Sequence, residues 1–306
     1  IGRRLHIGRG RVPAIGLTLG SADALPFGRA LEDVAVARAE HLGRQRAADR
    51  LLDLGAGRPD VAQIDRVALR IRAQRRVDDI AFALSAEQGK ILAEARGEVM
   101  RAAKELRFCA GEASRIDGDT LPSEKRNGLA MTLREPVGVI AAIAPWNFPV
   151  VTPVRKIGPA LAYGCTVVFK PSNFTPWSAA KLMDVFAEAG LPKGVVNLVL
   201  GTGRTAGEAM TRHPLVRGVS FTGSTKTGSE INAQVARRFV RTQLELGGKN
   251  PAVVLGYKEV GSVAKQIASA AFACSGQRCT AISRVVVLDS LVDEVTEALA
   301  AELAAI

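Results

Sequence analysis

The sequence predicts an α/β protein built on a doubly wound parallel sheet. Two observations predict this class. Five short β-rich runs alternate with four helix-length segments, and polar or glycine-rich punctuation follows every run. Strands joined by such crossovers lie parallel. Ligands of these sheets bind outside the carboxyl ends of the strands, so the chemistry is sought in that punctuation.

Residues 1–79 are rich in Gly, Ala and Arg and begin with Ile. Residues 35–54 and 61–80 read as amphipathic helices, because Leu51, Leu52, Leu54, Val67, Leu69 and Ile71 recur at mixed helical spacing. From about residue 80 the pattern becomes regular. Residues 81–110 read as one long helix, with Leu84, Ala86, Ile91, Leu92, Ala95 and Val99 on its buried side. Strands are then expected over 137–144, 166–169, 195–200, 218–221 and 242–246. The crossover helices fall at 152–163, 176–189, 205–212 and 226–237. The expected organisation is an N-terminal segment 1–79, a helical lead-in and sheet domain 80–246, and the start of a second α/β domain over 247–306.

Composition narrows the function classes. A chain of 306 residues with 47% hydrophobic content has ample material for buried cores. The longest apolar stretch, residues 137–146, is too short to cross a bilayer. Ile1-Gly2-Arg3-Arg4 has no apolar core or cleavage site behind it, so no secretory signal is expected. Cys109, Cys165, Cys274 and Cys279 lack the paired spacings of a disulfide framework or a zinc site, which fits a cytosolic protein with reduced thiols and no metal. The net charge of +11 raises the question of nucleic acid. It is spread out: residues 1–79 hold 15 Arg, no Lys and 10 acidic residues, and the remainder has no long basic run. With 5% aromatics, little is available for base stacking. Neither a nucleic-acid nor a membrane partner is expected.

Candidate catalytic residues sit in three punctuated segments. Cys279 follows Gly276-Gln277-Arg278, a flexible loop whose adjacent cation would favour thiolate. Cys274, in the Ala-rich run before it, reads as a packed thiol. Glu245 lies in Leu244-Glu-Leu-Gly-Gly-Lys249. An apolar setting would raise its pKa toward that of a general base, and the plainer alternative is an ion pair with Lys249. Asn147, in Ala144-Pro-Trp-Asn-Phe-Pro149, is either a turn former or an amide that donates to a developing oxyanion. His6, His41 and His213 all lie outside the punctuated loops, so a Cys-His or Ser-His hydrolase lacks a base.

Further glycine-rich segments suit a nucleotide. Gly201, Gly203 and Gly207 are spaced one residue longer than the dinucleotide fingerprint. Phe221-Thr-Gly-Ser-Thr225 joins a strand to a helix start, where amides and hydroxyls would meet a pyrophosphate. In both places the alternative is an ordinary tight turn. Lys170, in Phe169-Lys-Pro-Ser-Asn173, is either a surface lysine or a ligand contact at a strand end.

Residues 145–149 (PWNFP), 169–172 (FKPS), 221–225 (FTGST), 244–249 (LELGGK) and 272–279 (FACSGQRC) together resemble the aldehyde dehydrogenase superfamily over roughly residues 80–306. The resemblance implies a Rossmann-like cofactor domain followed by a catalytic domain, with NAD or NADP as cofactor and an aldehyde as substrate. Cys279 would be the nucleophile, passing through a thiohemiacetal and a thioester. Asn147 and the Cys279 amide would hold the oxyanion, and Glu245 would activate the hydrolytic water. Lys170 would bind the adenosine ribose and Ser224 the pyrophosphate. Pro145, Trp146, Ser172, Asn173, Gly203, Gly207, Phe221, Thr222, Gly223, Thr225 and Leu246 would complete the cofactor groove.

The family's NAD-preferring members usually carry Glu where this chain has Asn173, which implies tolerance of a 2′-phosphate. Arg278 suggests an anionic aldehyde, against a plainer structural role. Family members extend beyond residue 306 and form homo-oligomers. Two other readings stand beside the oxidoreductase: an inactive fragment or pseudoenzyme that acts as a binding partner, and a thiol hydrolase or acyltransferase.

Overall fold

The structure is a computed structural model and describes residues 75–305. The helix expected over 35–54, and most of that over 61–80, lie outside the described residues. The chain divides into two compact units, with the boundary between Leu246 and Gly247.

The first unit opens with two helices, α1 (Val77–Gln88) and α2 (Leu92–Glu112), where one long helix was expected. Gly89 ends α1 in the left-handed conformation, with φ 83°, and its N–H donates to the Ser85 carbonyl. Glycine adopts that conformation without the strain of a Cβ. The break resets the helical phase, so Ala86, Ile91 and Leu92 are exposed, whereas Leu84, Ala95 and Val99 are buried as expected.

A two-residue antiparallel ladder, β1 (Thr120–Leu121) with β2 (Ala130–Met131), precedes the main sheet. That sheet comprises β3 (Val139–Ile143), β4 (Thr166–Lys170), β5 (Val196–Leu198), β6 (Val216–Gly223) and β7 (Arg241–Leu246). All pairings are parallel, in the order β5-β4-β3-β6-β7. The crossovers are α3 (Val151–Ala162), α4 (Pro176–Glu188), a π turn (Gly203–Gly207) running into the five-residue α5 (Glu208–Arg212), and α6 (Thr225–Ala236). The helix expected from residue 205 is therefore this wide turn plus a short helix.

Strand alternation builds a core on each face of the sheet. Ala142, Val167 and Phe169 pack with α1 to α4, while Ala141, Ile143, Val168, Val219 and Phe221 pack with α5 and α6. β3 and β4 are thus apolar on both faces, as a covered parallel sheet requires.

The lead-in helices also complete the crossovers. Neither α3 nor α4 has a side-chain cap of its own. Glu87 of α1 accepts from the Trp177 and Ser178 amides at 2.6 and 2.7 Å, and Glu98 of α2 accepts from the Val150 and Val151 amides at 2.9 and 3.1 Å. A carboxylate at a helix start satisfies orphan amides and faces the positive end of the helix dipole.

In the second unit β8 (Asn250–Val254) and β9 (Ile282–Val287) pair in parallel. They are joined through α7 (Val260–Phe272) and followed by α8 (Val292–Ala304). Val254, Ile267 and Val295 form its core. Among the described residues, no helix is long and apolar enough to cross a membrane.

Candidate active site

The strand order reverses between β3 and β6: β4 and β5 extend the sheet to one side of β3, and β6 and β7 to the other. Loops leaving the carboxyl ends of β3 and β6 diverge there, and a crevice results. A groove of about 510 Å³ lies at this end of the first unit, between the π turn and α6. Ile143 and Phe221, at the ends of their strands, form part of its wall together with Gly203, Gly207, Arg204 and Thr227.

Every candidate in the first unit lies at this end of the sheet. Pro145, Trp146 and Asn147 follow β3. Lys170 ends β4, and Ser172 and Asn173 follow it. Gly203 and Gly207 bound the π turn after β5. Phe221, Thr222 and Gly223 end β6, Ser224 and Thr225 begin α6, and Glu245 and Leu246 end β7. Of these, Gly203, Gly207 and Phe221 line the groove.

Local rules shape these turns. Gly201 has φ 145°, a conformation side chains disfavour, and it lets the chain turn out of the sheet. The Thr202 hydroxyl then accepts from the Thr205 amide. Ser224 caps α6, its hydroxyl accepting from the Thr227 amide at 3.2 Å. Gly228 of α6 sits against Leu246, where a Cβ would come within 2.6 Å of Leu246 Cδ2. Glycine walls and a helix start suit a nucleotide phosphate, and the residues present fit that group.

Lys170 is not a surface lysine. It is buried, its Nζ donates to the Pro171 carbonyl at 2.8 Å, and burial pulls its pKa below the ordinary lysine value.

Glu245 departs from expectation. β7 is an edge strand with alternating exposure, and Glu245 is on its exposed side, so the apolar setting inferred from Leu244 and Leu246 is absent. Alternation sends neighbouring leucines to the opposite face. Glu245 accepts from Gln243 Nε2 at 2.9 Å, and no ion pair joins it to Lys249.

A residue missed in the sequence faces this carboxylate. Lys156 of α3 is buried, and its Nζ donates to Thr222 Oγ1 at 2.7 Å and Ser220 Oγ at 3.2 Å. Burial lowers its pKa to about 8, opposed by the charge of Glu245. Ser220 Oγ donates in turn to Gln243 Oε1, so hydrogen-bonded side chains run from Lys156 through Ser220 and Gln243 to Glu245. The available signal was a lysine on the apolar stripe of α3, beside Pro153 and Ile157.

The Asn147 loop is held from below. Lys90 Nζ donates to the Asn147 backbone carbonyl at 3.0 Å and to Glu98 Oε2 at 2.7 Å. Asn147 is partly buried, and Pro149 and Val150 behind it are buried.

Cys279 belongs to the second unit. It is a free, exposed thiol in the turn between α7 and β9, and Asn250 Nδ2 donates to its carbonyl at 2.6 Å. Cys274 is buried, in accord with the packed role expected of it. Cys274, Ser275 and Gly276 are all left-handed, with φ 58°, 53° and 70°. For the two non-glycine residues this costs roughly 1–2 kcal/mol each. Arg278 is partly buried, and its Nη2 donates to the Ala270 carbonyl at 2.7 Å. Among the described residues, no group of three or more His, Cys, Asp or Glu could hold a metal ion.

Comparison with known proteins agrees with this arrangement. The profile of the "Aldehyde dehydrogenase family" matches residues 62–306, so the match begins ahead of residue 80. The alpha-ketoglutaric semialdehyde dehydrogenase of Bacillus subtilis is 43% identical over 226 residues, 74% of this chain and 46% of that protein. The succinate-semialdehyde dehydrogenase [NADP(+)] of Escherichia coli is 41% identical over 222 residues, 72% of this chain and 46% of that protein. The chain thus spans a little under half the length of these relatives. An aldehyde dehydrogenase structure from Brucella melitensis biovar abortus superposes with a TM-score of 0.80 at 37% identity, covering 88% of this chain and 55% of that one. The Staphylococcus aureus betaine aldehyde dehydrogenase in complex with NAD+ gives 0.79 at 32% identity, covering 84% and 52%. By its motifs, its parallel sheet and a profile match running from residue 62 to its end, the chain belongs to the aldehyde dehydrogenase family.

Proposed function

We propose that the protein carrying this chain oxidises an aldehyde to a carboxylic acid, with hydride transfer to NAD or NADP. The observation that carries the reading is the groove at the β3/β6 reversal, with the family's nucleotide-binding segments at the carboxyl ends of the same strands.

In this reading the Cys279 thiolate adds to the aldehyde carbon, forming a thiohemiacetal whose oxyanion receives hydrogen bonds from the Asn147 amide and the Cys279 N–H. NAD(P), when bound, would supply the acceptor for the hydride lost from this carbon, and the carbon would stay on Cys279 as a thioester. Glu245 takes a proton from water, whose oxygen adds to the thioester carbon and expels the Cys279 thiolate as the carboxylic acid is released. Gly223, which ends β6, and Ser224, which caps α6, would hold the pyrophosphate. Lys170 would bind the adenosine ribose, and Trp146, Phe221 and Leu246 would line the cofactor's site. Asn173 is exposed and uncharged, which supports acceptance of a 2′-phosphate. The enzyme acts in the cytosol as a homo-oligomer.

Semialdehydes are the first substrates to test, on the names of the relatives. The bond from Arg278 to the Ala270 carbonyl favours the plainer, structural role of this side chain over contact with an anionic substrate.

The test is turnover of a panel of semialdehydes and phenylacetaldehyde with each cofactor, in the enzyme at the length of its relatives. NAD(P)H should form, Cys279→Ala should abolish it, and Glu245→Gln should keep a single-turnover burst while slowing the steady state. Ester hydrolysis without any cofactor reduction would overturn the reading in favour of a thiol hydrolase.

A further inference from the structure

We propose that the buried Lys90–Glu98 pair is a positioning device for the Asn147 loop. The proposal rests on the oxidoreductase reading, in which Asn147 holds the oxyanion.

The geometry is fully used. Both side chains are 1% exposed. Lys90 Nζ meets three partners: Glu98 Oε2 at 2.7 Å, the Asn147 carbonyl at 3.0 Å, and the ring face of Phe148, whose centroid is 3.9 Å away. The other Glu98 oxygen accepts from the Val150 and Val151 amides, where α3 begins. One ion pair therefore grips the loop on both sides of Pro149, at Asn147 and Phe148 before it and at the helix start after it. The main chain of Asn147 is held between β3 and this clamp.

A buried ion pair is weak evidence for stability, since well-packed apolar residues usually serve that end as well. What apolar residues cannot do is hold a carbonyl and two amides at set positions. Two features of the sequence converge on this arrangement. Glu98 interrupts the apolar stripe of α2 between Ala95 and Ala102. The left-handed Gly89 breaks the helix immediately before Lys90, which is buried, whereas Ile91 and Leu92 beyond it are exposed. Both residues act through Asn147, as positioning residues.

Two variants test this. Lys90→Met keeps the apolar stem and removes the charge. Glu98→Gln keeps the volume and one oxygen for the two amides, and it reports on the pair if Lys90→Met does not fold. The first readout is hydrogen exchange in this 306-residue chain. Exchange over residues 145–151 should rise about tenfold in either variant, while residues 216–223 in β6 stay unchanged. No rise, or an equal rise in both segments, overturns the proposal.

The second readout is a double-mutant cycle in the enzyme at the length of its relatives. Lys90→Met should lower kcat about tenfold, within the hundredfold that a 1 Å misplacement can cost, with the cofactor KM unchanged. That loss should vanish in the Asn147→Ala background, because a device that acts through Asn147 has nothing left to position. Additive losses overturn the proposal. Should Asn147→Ala alone turn over normally, the oxyanion role of Asn147 fails, and the exchange result still decides whether the pair holds the loop.

Discussion

Lys156 is a cation placed where a cation is costly. Its amine sits on the sheet face among Ser220, Thr222 and the charge of Glu245, and burial lowers its pKa to about 8 from an ordinary 10.5. Between those values the unfolded chain holds the proton that the folded chain has released. Stability therefore rises with pH across that window, and the penalty is fully present below pH 8. At 1.36 kcal/mol per pKa unit the rise is roughly 3 kcal/mol. Urea unfolding from pH 7.5 to 10.5 should show it as a divergence between the native protein and Lys156→Met, whose profile lacks the slope. Parallel profiles would contradict the placement of this amine. At the same scale, the setting of Glu245 differs from the apolar one its neighbours imply, because Glu245 is on the exposed side of β7. Its leucine neighbours suggested an apolar environment, but in a strand they face the other way, and the relevant partners come from Gln243 and, through space, from Lys156.

At the scale of elements, the lead-in helices work as braces for the sheet's crossovers. Glu87 takes the first amides of α4 and also the Ser178 hydroxyl at 2.7 Å. Glu87→Ala should therefore cost about 1–2 kcal/mol, the usual effect of a lost N-cap, measured as a shift in urea midpoint at constant slope. An unchanged midpoint would show that water replaces the carboxylate without penalty. The five strands and three of the four crossovers were legible because strand and helix periods differ and because turn residues mark each switch. Two features were not. The break at residues 89–91, a left-handed Gly89 followed by Lys90 and an extended Ile91, falls inside a continuous helical period and is a tertiary choice that the period does not show. The π turn at Gly203–Gly207 shares its composition with an ordinary helix start. Caps that come from another helix, as Glu87 and Glu98 do, leave no local pattern at all.

At the scale of the whole molecule, the segments proposed to hold the cofactor and the proposed nucleophile lie on separate compact units. The first unit carries the reversed sheet with its groove, and the second carries Cys279. Four of the motifs could be read at this scale because each lies at the carboxyl end of a strand, where backbone demands and chemistry select the same few residue types; the fifth, 272–279, lies in the turn between α7 and β9. Their packed partners were hidden: Glu98 and Lys156 look like misplaced charges on apolar helix faces, and Lys90 sits in the break between α1 and α2.

The central claim is a covalent intermediate on Cys279, and its most direct test is to trap it. Glu245→Gln enzyme, mixed with an oxidisable semialdehyde and NAD(P) and quenched in acid, should carry one acyl group in intact mass. Peptide mapping should place that group on Cys279 alone. Formation of NAD(P)H with no acyl adduct, or an adduct on Cys274, would contradict the account.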